Sequence, residues 1–261
     1  VEGIDIILAI DLSGSMKAID VPTDFRTYQE LQRALEKGTI RERVEIAKDE
    51  IKKFVEKRPN DRIGLIAFAP MPYFACPPTL DHNFLYKRLE QFQAGMIGDS
   101  TGIAGPIASA VERLKNSEAK RKVIVLFTDG KNNVDARITP RQAAQLAKKF
   151  NIILYTVGIG TPNAYIIQDG IFGRQLVPLA HEFDEKILKE MAEITGGYYY
   201  AAKDAKGLEK TMNEINKLEK TTMEQPKFVN YRDIAFPFIN AGIILLLISF
   251  FLGNTFLLKI P

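Results

Sequence analysis

The chain has 261 residues, of which 46% are hydrophobic and 26% charged; this supports one core of roughly 200 residues plus an appendage and excludes a chain that is disordered throughout. The formal net charge is +3, and because Lys and Arg are interleaved with Glu and Asp, the composition argues against a nucleic-acid-binding surface. Cys76 is the only cysteine and there are two histidines, which excludes an intrachain disulfide and a Cys/His metal cluster.

The first predicted element is a buried strand that ends in side-chain oxygens. An unbroken apolar run, Ile6–Ile10, is followed by Asp11, Ser13 and Ser15. A continuous rather than alternating run is typical of a parallel strand covered on both faces, as in α/β proteins. Ligands bind where such strands end, and oxygen ligands suit a hard cation such as Mg²⁺ or Mn²⁺ better than zinc or copper. The pattern therefore indicates a cation site at this strand end.

The next segment, between Met16 and Arg41, predicts an additional helix. Residues 25–37 carry apolar side chains at helical spacing, Asp24 is a plausible cap and Gly38 a plausible stop. Because the segment follows Ser15 directly, we expect it to lie near the metal end of the sheet.

The rest of the first 220 residues alternates apolar runs with stretches of helical period. This pattern predicts an α/β fold with a doubly wound, mostly parallel sheet and helices on both faces. The predicted helices are residues 43–57, 103–114, 140–150, 184–195 and 205–219, and the further predicted strands are residues 62–68, 73–76, 122–128, 152–157 and 198–201. Residues 161–181 contain glycines without a clear period, and we interpret them as a long irregular loop.

The C-terminal segment predicts a membrane span. Residues 236–258 contain no charged residue, and as a helix they would extend roughly 34 Å, enough to cross a bilayer. We therefore predict a folded domain at 1–220, a juxtamembrane linker at 221–235 and a transmembrane helix at 236–258; the alternative is a buried core helix. Lys227 and Arg232 before the span and Lys259 after it leave its orientation open.

A second strand end and a loop complete the candidate site. The apolar strand at 122–128 ends in Asp129, and Thr101 lies just before a predicted helix. If both strands are central and parallel, these residues meet the first strand end at one edge of the sheet. The predicted ligands are Asp11, Ser13, Ser15, Thr101 and Asp129. Two carboxylates and three hydroxyls suit an open site whose cation keeps waters or accepts an outside carboxylate. Asp99 has two interpretations, a helix cap or a support for the cation site.

This ligand pattern resembles the metal-ion-dependent adhesion site of von Willebrand factor type A domains, over residues 3–220. The resemblance implies a Rossmann-like sheet with one short antiparallel edge strand, at residues 73–76. It also implies that Ser13, Ser15 and Thr101 contact the cation directly or nearly so, and that Asp11 and Asp129 act directly or through water. The expected cation is Mg²⁺, with Mn²⁺ and Ca²⁺ as alternatives, and the expected function is non-catalytic binding of a protein partner that supplies an acidic side chain.

Several phrases, around residues 1–16, 158–160, 172–174 and 194–197, together with the C-terminal apolar segment, resemble the bacterial Bat (aerotolerance-type) membrane proteins. The resemblance implies other Bat-type proteins and a MoxR-type AAA+ ATPase as partners in an envelope stress-tolerance complex. It further implies a location in the bacterial inner membrane with the domain on the periplasmic side. Membrane segments before the domain are also implied, which agrees with a chain that starts at Val1 rather than Met. The insertion at residues 18–41 departs from the compact link expected there and leaves partner specificity open.

Three alternatives compete with this interpretation. A haloacid-dehalogenase-like phosphatase would use Asp11 as a nucleophile, but it needs an acid where Ser13 stands and another where Asn133 stands. A serine hydrolase lacks a glycine before Ser13 at nucleophile-elbow spacing, and neither histidine has a role in it. A structural membrane scaffold with a vestigial metal site is the third alternative.

Overall fold

The computed structural model describes residues 3–21, 30, 33–34, 36–129, 132–134, 137–161, 163–170, 173–179, 184–223 and 240–249. The chain divides into two compact units, Val1–Glu219 and Lys220–Pro261.

The strands of the first unit are β1 (Asp5–Asp11), β2 (Ile19–Asp20), β3 (Arg62–Phe68), β4 (Pro72–Thr79), β5 (Lys122–Thr128), β6 (Ile152–Ile159), β7 (Ala164–Gly170), β8 (Gly173–Pro178) and β9 (Tyr199–Ala202). Six of them form one sheet in the order β4-β3-β1-β5-β6-β9. Within it, β4 runs antiparallel to β3 at one edge, and the other pairs are parallel. The predicted α/β fold with a mostly parallel sheet and an antiparallel edge strand is confirmed.

Helices cover the central strands, which explains their unbroken apolar sequences. The helices are α1 (Arg43–Glu56), α2 (His82–Glu90), α3 (Ala104–Leu114), α4 (Pro140–Lys149), α5 (Glu185–Thr195) and α6 (Ala205–Met223). On one face of β1, Ile7 and Ala9 pack in a core with residues of α3, α4 and α5. The alternate residues of β1 are also fully buried, as expected for a strand between two helical layers.

Helix α2 is a helix that the sequence analysis missed. Asp81 caps it by accepting a hydrogen bond from the Phe84 backbone N–H over 3.1 Å, but only Leu85 and Leu89 are buried. Because its apolar face is so narrow, its helical period is weak.

A second, three-stranded sheet, which we call the accessory sheet, has the order β2-β7-β8. It corrects the prediction of a long irregular loop at residues 161–181, because β7 and β8 form an antiparallel hairpin there. Ile19 of β2 is buried against Tyr165, Ile167 and Leu176, which stay partly exposed. Strands with so small a buried apolar face give little periodic signal, which is why the sequence pattern did not indicate them.

The inserted segment contributes to this accessory sheet. Residues 30, 33–34 and 36 are helical, in agreement with the prediction, whereas residues 22–29, 31–32 and 35 lie outside the described residues. Ala34 and Ile40 pack with Ile19 in the small core of the accessory sheet. The insertion therefore extends the domain beside the carboxyl ends of the main sheet.

The predicted transmembrane segment is described only in part. Residues 240–249 are helical, and residues 236–239 and 250–258 lie outside the described part of the chain. Within the described ranges, no helix combines the length and the apolar character needed to cross a membrane. Helix α6 continues to Met223, into the predicted linker, of which residues 224–235 also lie outside the description.

Glu219, near the end of α6, is a buried carboxylate that holds this helix on the sheet. Arg121 donates to both of its oxygens, from Nε over 2.6 Å and from Nη2 over 3.0 Å. The Tyr155 hydroxyl of β6 donates to Oε1 over 2.5 Å. Burial, and next its hydrogen bond to Glu219, raise the pKa of Tyr155, so the phenol remains a donor. This group joins α6 to β5 and β6.

Removing the Tyr155 hydroxyl should therefore weaken the domain. We expect Tyr155→Phe to lower the free energy of unfolding by about 1.5–3 kcal/mol, as for other hydrogen bonds to charged groups, measured by urea denaturation. Tyr73→Phe is the control, because Tyr73 is half exposed and its change should stay within about 0.5 kcal/mol. Equal stability of the two variants would contradict this role of Glu219.

Candidate metal centre

The end of β1 gathers the first three predicted ligands. Asp11 and Ser13 are fully buried, whereas Ser15 is partly exposed. The Ser13 backbone N–H donates to Asp11 Oδ1 over 2.8 Å, and a 3-10 turn, Gly14–Lys17, follows at once. This turn brings Ser13 Oγ and Ser15 Oγ within 3.1 Å of each other. The structure thus places three predicted oxygen ligands in one small cluster.

The neighbouring strand β5 brings the second carboxylate. Asp129 follows the last residue of β5 and is fully buried. Thr128 Oγ1 donates to Asp11 Oδ2 over 2.7 Å, so both oxygens of Asp11 accept hydrogen bonds from the protein. Burial, and next the charge of Asp129, raise the pKa of Asp11 to about 7. Two buried carboxylates that repel each other favour a bound cation.

Thr101 is held at the same edge by two asparagines. The Asn133 side-chain oxygen accepts from the Thr101 backbone N–H over 2.7 Å, and the Asn133 N–H donates to the Thr101 carbonyl over 3.0 Å. The Asn132 side chain accepts from the Ile103 N–H over 3.1 Å. Sequence reasoning noted Asn133 only as a missing acid, whereas the structure shows that it joins the Thr101 loop to the segment after Asp129.

The loop before Thr101 also contacts the end of β1. The Gly95 N–H donates to the Leu12 carbonyl over 2.6 Å, and a Cβ on Gly14 would lie 2.8 Å from Asp99 Oδ1. Gly14 therefore permits a close approach that a side chain would obstruct. Helix α3 begins at Ala104 without a side-chain cap, so the interpretation of Asp99 as its cap is wrong. Asp99 instead lies against the turn that carries the serines.

Arg43 is a residue of this edge that sequence reasoning missed. It is the first residue of α1 and is fully buried. Its Nη1 donates to Asp129 Oδ2 over 3.3 Å, while Nε and Nη2 donate to the two oxygens of Asp20 over 2.8 and 2.7 Å. A cation in the first turn opposes the helix dipole, which was the available signal. This sequence signal was weak because another arginine, Arg41, stands two residues earlier, and the side chain of Arg41 is exposed.

The charged side chains at this edge of the sheet fit a divalent cation. With all carboxylates ionised, Asp11, Asp20, Asp129 and Arg43 together carry a net charge of −2. Among the described residues, no three or more His, Cys, Asp or Glu form a metal-holding group, so a cation here would depend on the three hydroxyls and on ligands from outside. Such an oxygen set suits a hard cation with open coordination positions. The assignment of the five residues as metal ligands stays a prediction.

Comparison with known sequences identifies related proteins. Residues 6–131 match the family model described as von Willebrand factor type A domain. An uncharacterized protein of Borreliella burgdorferi is 28% identical over 260 residues, which is 99% of this chain and 71% of that protein. The chain spans between 57% and 59% of the length of four mycobacterial UPF0353 proteins that it also matches.

Solved structures share the fold. BatB from Bacteroides thetaiotaomicron is 25% identical with a TM-score of 0.66, over 84% of this chain and 100% of that one. An aerotolerance-related membrane protein from Bacteroides fragilis is 26% identical with a TM-score of 0.65, over 82% and 100%. The proximal thread matrix protein 1 of the mussel byssus, in a structure with a zinc-occupied MIDAS motif, shares the fold at 19% identity, with a TM-score of 0.57 over 83% and 46%.

The raised pKa of Asp11 predicts how stability depends on pH in a chelator. The unfolded state loses this proton near pH 3.8, but the folded state keeps it to about pH 7. Between these values the folded state binds more protons, so stability falls as pH rises through this range. Asp11→Asn should remove that part of the slope, measured by denaturant unfolding in EDTA at several pH values. Asp49→Asn, at an exposed ion pair, should keep the wild-type slope. An unchanged slope in Asp11→Asn would show that the pKa of Asp11 is not the cause.

Proposed function

Because residues 6–131 match the family model of the von Willebrand factor type A domain, we propose that this chain is a binding module that captures a protein partner through a divalent cation at the carboxyl end of the main sheet. The observation that carries the proposal is the oxygen cluster of Asp11, Ser13 and Ser15, hydrogen-bonded at the end of β1 and next to Asp129. When bound, the cation supplies an electrophilic centre that accepts a carboxylate oxygen of the partner.

Five residues of the chain would bind this cation. The carboxylates of Asp11 and Asp129 supply the negative charge, while Ser13, Ser15 and Thr101 supply neutral oxygens. Ser15 is partly exposed, so the cluster opens toward solvent on its side. Mg²⁺ is the first candidate because the donors are all hard oxygens, and Mn²⁺ and Ca²⁺ are the alternatives.

We further propose that the domain works at a membrane, anchored by residues 236–258. The absence of charge in that segment supports this proposal. The similarity of the chain to an aerotolerance-related membrane protein supports it as well. By the same similarity, the proposed setting is the periplasmic face of a bacterial inner membrane. The proposed partners there are other Bat-type proteins and a MoxR-type AAA+ ATPase in a stress-tolerance complex.

The phosphatase alternative finds less support in the geometry. Each oxygen of Asp11 accepts a hydrogen bond, which lowers its readiness to attack phosphorus. The position of the required second acid is Ser13, and Asn133 holds the Thr101 loop instead of supplying a carboxylate. We therefore propose a non-enzymatic role.

Metal titration separates the binding module from a scaffold with a vestigial site. Mg²⁺ should stabilise the wild type by mass action, by about 2.7 kcal/mol at a concentration of 100 times Kd. Thr101→Ala should weaken Mg²⁺ binding at least about tenfold, measured by calorimetry and by thermal unfolding with Mg²⁺ or EDTA. Thr139→Ala is the control, because it removes the cap of α4, which costs about 1 kcal/mol, but should keep the Mg²⁺ increment. A vestigial site would give no response to Mg²⁺ in the wild type.

Partner capture separates the binding module from the phosphatase. With the intact protein as bait, we expect the same partner to be retained in Mg²⁺, to elute with EDTA and to be lost with Thr101→Ala. Phosphatase activity that Asp11→Asn abolishes would overturn the proposal.

A further inference from the structure

We propose that Asp20 and Arg43 are positioning residues that couple the accessory sheet to the candidate cation site, so that cation binding and docking of the accessory sheet strengthen each other. This inference rests on the proposed cation site, and it adds residues and a surface that the five predicted ligands do not include. The contact that carries it is the buried guanidinium of Arg43 between Asp20 and Asp129.

Asp20 joins three separate segments of the chain. Its two oxygens accept the two bonds from Arg43, and Oδ1 also accepts from the Thr161 backbone N–H over 2.7 Å and from Thr161 Oγ1 over 3.0 Å. Asp20 lies in β2, Arg43 opens α1, and Thr161 leads from β6 toward β7. One carboxylate thus holds the accessory sheet against the main domain.

The position of the Arg43 guanidinium is tightly restricted. Gly160 has a φ of +122°, and a Cβ there would lie 2.3 Å from Arg43 Cζ. The Thr161 carbonyl also accepts from Nη2 over 3.3 Å. Because backbone encloses the planar group, it has little room to rotate away from Asp129. A shift of Asp20 therefore changes the contact between Arg43 and Asp129.

The accessory sheet depends on this polar contact because its own core is small. Its buried apolar cluster consists of Ile19, Ala34 and Ile40, and Ala164 of β7 is also buried. A backbone bond adds to the docking, from the Arg43 N–H to the Ala18 carbonyl over 3.0 Å. The bond from the Val21 N–H to the Asn163 carbonyl, also over 3.0 Å, instead joins β2 to the start of β7 within the accessory sheet. With little apolar area buried, loss of the Asp20 contacts should loosen the sheet.

The charges determine the sign of the coupling. Asp20 neutralises Arg43 and takes its Nε and one of its terminal nitrogens, which leaves Nη1 for Asp129. Without the Asp20 charge, the positive charge of the guanidinium would act more strongly on Asp129 and would compete with a cation for that carboxylate. Asp20→Asn should therefore weaken cation binding, and by linkage the cation should strengthen the docking of the accessory sheet.

The experiment compares two matched variants of the full chain. Asp20→Asn and Asp5→Asn each neutralise a largely buried aspartate that pairs with an arginine. Asp5, however, pairs with Arg62 at the opposite end of β1. By calorimetry with Mg²⁺ alone, we expect Asp20→Asn to weaken binding about tenfold and Asp5→Asn to leave it unchanged. Equal Mg²⁺ affinity of wild type and Asp20→Asn would overturn the coupling while leaving the proposed function intact. No Mg²⁺ binding by the wild type would overturn both.

Hydrogen exchange supplies a readout that a merely structural role would not move. In the wild type, Mg²⁺ should increase the protection of residues 18–21 and 163–168 relative to EDTA, and Asp20→Asn should lose this increase. If Asp20→Asn does not fold, Thr161→Val removes one donor to Asp20 and should give smaller losses in the same two measurements. Equal protection of the wild type with Mg²⁺ and with EDTA would refute the coupling.

Discussion

Much of this molecule follows from one constraint, the burial of two carboxylates at the carboxyl ends of adjacent parallel strands. Asp11 and Asp129 lie where β1 and β5 end, and neither side chain is exposed. Burying an ionised carboxylate is costly unless it is paired or hydrogen-bonded. Within the described residues, Asp11 accepts hydrogen bonds at both oxygens, and Asp129 pairs with an arginine that it shares with Asp20.

The two ends of the sheet handle their charges differently. At the amino end, Asp5 pairs with Arg62 and Glu219 pairs with Arg121, so each carboxylate has an arginine of its own. At the carboxyl end, Arg43 serves both Asp20 and Asp129, and Asp11 lies close by. Among the described residues, the carboxyl end therefore has more carboxylates than arginines, which suits an added cation.

Uncharged contacts and the accessory sheet surround the carboxyl end of the main sheet. Asn133 and Asn132 join two loops without adding charge, and Gly14 lets Asp99 approach the serine turn. The accessory sheet adds Asp20 to the same network through Arg43. The insertion at residues 18–41 is therefore linked to the candidate site, because its Asp20 binds Arg43 and Arg43 binds Asp129.

The sequence by itself determined the sheet and the candidate ligands, because both depend on local patterns. Unbroken apolar runs mark β1 and β5, and the spacing of Asp11, Ser13 and Ser15 is visible within five residues. Only the tertiary structure decided the roles of Arg43, Asp20 and Asn133. Arg43 and Asp129 are 86 residues apart, and Asp20 and Thr161 are 141 apart. Such pairs leave no periodic trace along the chain, because packing of distant segments creates them. The accessory sheet escaped detection for a related reason, since the stability of its strands depends on contacts with distant segments rather than on an apolar pattern of their own.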